Sequence, residues 1–135
     1  DRPKKDLMAI LAAHYVPYIA SVSLAYPQDF IKKFEKAKSI KGFKFIHIFV
    51  PCPPGQKFLE DKTIEVAKLA VETGVFPLYE IIDGKYVLSK KPKFTDITEY
   101  LKLQGRYKNL TQENIEFLRQ SIQKKWEYLN KRFNE

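Results

Sequence analysis

A chain of 135 residues with 44% apolar and 14% aromatic side chains has the composition of one folded domain with a modest core. No apolar run approaches the roughly 20 residues that cross a bilayer, the opening DRPKKD leads into no signal-peptide apolar core, and the single cysteine excludes an intramolecular disulfide, which fits a reducing, cytoplasmic setting. The net charge of +8 reads first as a solvated, lysine-rich surface, with an acidic protein partner or a nucleic acid as the sharper alternatives.

In chain order, residues 6–16 read as a helix, with Leu7, Ile10, Leu11 and His14 on one face, Asp6 as N-cap and Pro17 as terminator. Residues 18–24 (YIASVSL) read as a strand whose small side chains admit a close neighbour. Pro27 opens the next helix, Phe30, Phe34 and Ala37 form its inner stripe, and Gly42 ends it. Residues 43–58 (FKFIHIFVPCPPGQKF) then begin with a run that is apolar on both alternating sides, as a strand covered by helices on both faces requires. Strand, helix and strand make a βαβ unit, and this second strand is expected to be the central one.

Asp61 or Thr63 can cap a helix running to Thr73, with Ile64, Ala67, Leu69 and Val71 among its buried candidates. Residues 76–82, the Asp83-Gly84 pair and residues 85–89 read as a hairpin with a type I′ turn. A short helix is expected over residues 96–103. From Thr111 onward Ile115, Leu118, Ile122, Trp126, Leu129 and Phe133 recur at helical spacing, so this last helix docks its apolar stripe on the domain or on a partner subunit. The fold class expected is α/β: a mostly parallel sheet flanked by helices, with a small hairpin and a C-terminal amphipathic helix. Residues 1–110 form the α/β part and residues 111–135 the docking helix.

Cys52 is the leading site candidate, because ligands of open α/β sheets gather beyond the carboxyl ends of the strands. Free cysteine is commonly a small packed hydrophobe. Pro51, Pro53 and Pro54 instead stiffen a turn, which suits a thiolate that ligates a metal or cluster, although one thiolate needs further ligands from elsewhere. A nucleophilic role needs a base, and only His14 and His47 are available. The five glycines are scattered singly and form no phosphate loop. With no initiator methionine at Asp1, the chain reads as a piece of a larger protein. The aromatics sit at core spacing, which weakens base stacking as a binding mode and makes a nucleic-acid partner a poor fit.

The ordered set AAH, PYIAS, AYPQDF, PCPPG and LKLQGRY resembles the C-terminal half of the β subunit of archaeal-type pyruvate:ferredoxin oxidoreductases, over roughly residues 3–110. The resemblance implies part of a thiamine-diphosphate-binding domain. It also implies that Cys52 is the fourth ligand of a [4Fe-4S] cluster, the other three cysteines lying in the N-terminal half. The implied reaction is oxidative decarboxylation of a 2-oxoacid, foremost pyruvate, to acyl-coenzyme A and CO2, with electrons passing to ferredoxin. The implied partners are the other half of the β subunit, the α-, γ- and δ-type subunits, ferredoxin, pyruvate and coenzyme A. The Gly-Asp-Gly motif that holds Mg2+ against the diphosphate is absent, as are the other three cysteines. Alone, the chain is therefore expected neither to complete a cluster nor to turn over. The competing expectation is a non-catalytic, basic α/β module that binds a partner protein.

Overall fold

A computed structural model describes residues 5–135, which leaves out the first four residues of the basic N-terminal stretch. All six residues of strand β1 (Tyr18–Ser23) are buried. Its small Ala20, Ser21 and Ser23 let neighbours approach from both faces, and β1 pairs on both edges. Helix α1 (Leu7–Ala13) precedes it, and helix α2 (Pro27–Ser39) crosses over to strand β2 (Lys44–Phe49). The chain continues through a single helical turn, α3 (Pro53–Gln56), into helix α4 (Thr63–Glu72) and the hairpin of β3 (Leu78–Ile82) and β4 (Lys85–Lys90). Helices α5 (Ile97–Lys102) and α6 (Gln112–Phe133) complete the described chain.

The sheet order is β2-β1-β3-β4. β1 and β2 are parallel with Ser21 opposite His47, whereas β1–β3 and β3–β4 are antiparallel. The α/β class with flanking helices, hairpin and terminal helix holds, but the sheet within it is mixed. Only the α2 crossover delivers a parallel neighbour. A two-residue turn reverses the chain, so the hairpin arms are necessarily antiparallel to each other. Asp83 and Gly84 both have positive φ, +48° and +81°, as the type I′ turn requires.

The expectation of a central β2 is corrected by the same strand order. β2 lies at the sheet margin, and its residues are half-buried or exposed. Its two-sided apolar pattern does correspond to two covering layers, since Ile46 packs on the α2 side and Phe45 and Phe49 on the other. Such a pattern carries no information about whether a second neighbouring strand is present.

One face of the sheet is covered by α2, where Tyr18, Ala20 and Ala37 form a small core. On the opposite face Met8, Ile19, Tyr79, Ile81 and Leu129 join α1, the sheet and α6. Val66, Ala70, Ile97, Tyr100 and Leu101 join α4 to α5, with Ile115, Leu118 and Ile122 of α6 against them. The inward stripe of α1 is rotated by one residue from the expected one. Met8 is buried and Leu11 and Ala12 pack beside it, while Leu7 and Ile10 face outward. The cap is as expected: Asp6 Oδ1 accepts from the Ala9 N–H at 3.0 Å. In α4 the stripe is Val66, Ala67, Ala70 and Val71, and Ile64 is exposed.

Candidate functional site at the Cys52 turn

Beyond β2 the chain passes through the exposed Val50 and the buried Pro51 to Cys52, whose backbone is extended (φ −112°, ψ 104°). Pro53 starts α3, where a ring nitrogen without N–H costs no hydrogen bond. The turn closes when the Gln56 N–H donates to the Cys52 carbonyl at 2.8 Å and the Phe58 N–H to the Pro53 carbonyl at 3.2 Å. Lys57 takes the left-handed conformation (φ +57°) that ends it. Phe58 then anchors the segment against the α4–α5 core. The thiol is exposed, and a Cβ at Gly55 would stand 3.3 Å from Sγ, so that glycine leaves the near side of the sulfur bare.

The carboxyl side of the turn is held from elsewhere in the chain. The Gly105 N–H donates to the Lys57 carbonyl at 2.8 Å. Beside the turn lies an open cleft whose walls include Pro53, Pro54, Phe58, Leu103 and the lysines Lys57 and Lys102.

At the neighbouring carboxyl end of β1 sits a polar cluster. Lys33, 2% exposed, donates from Nζ to the Ser21 carbonyl at 2.8 Å and to Asp29 Oδ2 at 2.7 Å. Burial lowers the affinity of this amine for its proton, and Asp29 partly restores it. Glu72, at the end of α4, is buried and accepts from the Tyr26 hydroxyl at 2.7 Å. Burial pushes its carboxyl upward, but the Tyr26 hydrogen bond together with Lys93 and Lys90 leaves it below the usual range. Burial first, and then the bond to Glu72, raises the Tyr26 phenol well above its ordinary value.

Neither histidine is brought to Cys52 as a base. His14 is the exposed C-cap of α1 and precedes the amino end of β1, whereas Cys52 follows the carboxyl end of the parallel β2. The His47 ring sits between Phe45 and Phe76, at 6.3 and 5.2 Å between ring centres. Burial, and then Lys125, depresses its proton affinity. Among the described residues no group of three or more His, Cys, Asp or Glu side chains is placed to hold a metal ion. The described residues offer one exposed thiol, Cys52, as a donor. This donor set fits neither a complete cluster site nor a Mg2+-diphosphate site.

No family model matches the chain. It is 49% identical to the pyruvate synthase subunit PorB of Methanocaldococcus jannaschii, over 96% of this chain and 44% of that subunit. It is 48% identical to the ketoisovalerate oxidoreductase subunit VorB of Pyrococcus furiosus, over 96% of this chain and 43% of the relative. With the pyruvate synthase subunit PorB of Thermotoga maritima the identity is 40%, over 93% and 41%. Over nearly its whole length the chain is thus similar to part of the PorB and VorB subunits.

The chain spans less than half the length of these PorB and VorB relatives. Among its described residues no helix is long and apolar enough to cross a membrane. Two parts of the polar architecture have no clear signal in the sequence. Lys33 lies in a lysine-rich stretch that looks wholly solvated, although its spacing of four from Asp29 marks a helical ion pair. Tyr26 and Glu72 are 46 residues apart, and no local pattern joins them.

Proposed function

We propose that this chain is the C-terminal part of the β-type subunit of a 2-oxoacid:ferredoxin oxidoreductase and supplies Cys52 as the fourth thiolate of a [4Fe-4S] cluster. Residues 1–110 belong to the thiamine-diphosphate-binding domain and residues 111–135 are its docking helix. The reaction is oxidative decarboxylation of a 2-oxoacid, foremost pyruvate, to acyl-coenzyme A and CO2, with the released electrons passed to ferredoxin. The rest of the β subunit and the α-, γ- and δ-type subunits complete the cytoplasmic assembly.

One observation carries the reading: an exposed thiol on a proline-stiffened turn at the carboxyl end of a parallel strand pair, in a chain 49% identical to a PorB subunit. In the complete enzyme thiamine diphosphate with Mg2+ would supply carbanion chemistry at the keto carbon, and the cluster one-electron transfer. This chain's share is positional. Pro53 and the Gln56-to-Cys52 hydrogen bond fix the backbone from which the Cys52 side chain projects. Pro51, Phe49 and Phe58 shield the inner side of the turn from water, and a dry shell of this kind tunes the potential of a bound cluster. The chain's net charge of +8 suits an acidic electron acceptor such as ferredoxin.

The test is anaerobic and uses the assembled complex. Pyruvate- and coenzyme-A-dependent reduction of a viologen dye is compared between the parent and Cys52→Ala, and iron is counted in both. Activity in the parent, with loss of electron transfer and of cluster iron in the variant, is the expected result. Unchanged iron and rate in the variant would remove the ligand role. No 2-oxoacid-dependent reduction by an iron- and cofactor-replete parent would remove the enzyme reading.

A further inference from the structure

We propose that Gly105 is a positioning residue for Cys52, acting through the backbone of Lys57. The two segments come from different parts of the fold. The Cys52 turn hangs from the end of β2, and Gly105 lies just beyond α5, which is seated in the core through Ile97, Tyr100 and Leu101.

Gly105 is held by a rigid bracket. Gln104, 1% exposed, donates from Nε2 to the Tyr100 carbonyl at 2.9 Å, and its Oε1 accepts from Arg106 Nε at 3.0 Å. The Arg106 guanidinium lies 4.5 Å from the centre of the Tyr107 ring. From this bracket the Gly105 N–H reaches the Lys57 carbonyl at 2.8 Å. A side chain at position 105 would be tight, because its Cβ would stand 3.0 Å from both the Lys57 Cβ and the Lys57 carbonyl oxygen, so Lys57 would have to give by a few tenths of an ångström. Lys57 itself holds a left-handed conformation, φ +57°, which is uphill for a residue with a Cβ. Its carbonyl is thereby aimed at Gly105. The closing bonds of the turn, Gln56 to Cys52 and Phe58 to Pro53, carry the position of Lys57 back to the cysteine. Gly105 thus helps set where the thiol stands, by permitting a close backbone approach that a Cβ would push apart.

The consequence for a bound cluster rests on the reading of Cys52 as its ligand, whereas the positioning itself does not. It is tested first on the free chain with Gly105→Ala, Lys57→Gly and the double variant. Gly105→Ala should change the rate of Cys52 alkylation by iodoacetamide severalfold. It should also speed hydrogen exchange of the residue 105 amide by roughly fivefold, the worth of one hydrogen bond. Lys57→Gly removes the opposing Cβ and suits the positive φ, so the double variant should move back toward the parent. A folded Gly105→Ala with parental alkylation and exchange would overturn the proposal. Failure of Gly105→Ala to fold, with a folded double variant, would support it; failure of both would overturn it, because relief of the Lys57 Cβ contact and of its positive φ would then not free the turn. In the assembled enzyme Gly105→Ala should retain iron but shift the cluster's midpoint potential, and an unshifted potential would overturn its functional part. Iron unchanged in Cys52→Ala would defeat the ligand reading alone, since the alkylation and exchange results in the free chain stand apart from it.

Discussion

The indole N–H of Trp126 donates to the carbonyl oxygen of Gly74 at 2.9 Å, joining the middle of α6 to the turn that ends α4. Gly74 has φ +80°, and a Cβ there would meet the Trp126 Nε1 at 2.7 Å and Phe94 and Ile122 at 3.3 Å. Gly74→Ala therefore combines backbone strain with overpacking and should cost about 2–5 kcal/mol. Trp126→Phe keeps most of the ring but leaves the buried carbonyl without its donor, at about 1–3 kcal/mol. Urea unfolding of both variants checks the pair. A Gly74→Ala protein as stable as the parent would mean that α6 does not rest on this turn.

Alkali should unfold the protein through its buried tyrosines. Burial, reinforced by the Glu80 hydrogen bond at 2.7 Å, raises the Tyr18 phenol far above its ordinary value, and burial does the same for Tyr79. Burial and the bond to Tyr128 push Tyr86 up to about 12. In the unfolded chain these phenols lose their protons near about pH 10. Above that pH the folded state binds more protons than the unfolded state, so stability falls as pH rises. The contribution is fully present below about pH 10 and is lost progressively toward the folded values. Guanidinium midpoints measured from pH 9 to 12 should decline, and Tyr18→Phe should decline less steeply. A midpoint that stays level across this range would contradict the burial of these phenols.

Lys33 acts with the opposite sign. Burial lowers its proton affinity in the folded state, so the unfolded chain binds that proton more tightly and stability rises with pH until the ordinary lysine value of about 10.4. Lys33→Met removes the titrating group while keeping an unbranched side chain of similar length. The variant should lose the rise in stability that the parent shows as pH climbs toward the ordinary lysine value. Parallel curves for parent and variant would show that the amine is as easily protonated folded as unfolded.

Features set by neighbours in sequence are legible without coordinates. The Asp6 cap, the Asp83-Gly84 turn and the Thr111 start of α6 each depend on a few adjacent residues, and each stands where its local chemistry puts it. Strand order depends on partners far along the chain, so an apolar strand at the margin reads like one at the centre; β2 is such a case. The same holds for the polar groups. Lys33 resembles its solvated neighbours until Ser21, 12 positions earlier, is seen to accept from it. Cys52 is legible because prolines on both sides are a local signal, while the grip of Gly105 on Lys57, 48 positions apart, has none.

Cys52 is carried by β2, which like β4 at the other margin has a partner along one side only. A marginal strand opens at a lower free energy than a strand paired along both, and it does so without unfolding the remainder. β1 keeps its place through β3 even while the far end of β2 breathes. Small adjustments of the sulfur are thus confined to a short, independently yielding stretch, and the hydrophobic interior is spared them. A marginal strand thus leads into Cys52, and the turn that carries it takes its anchorage from a segment far along the sequence.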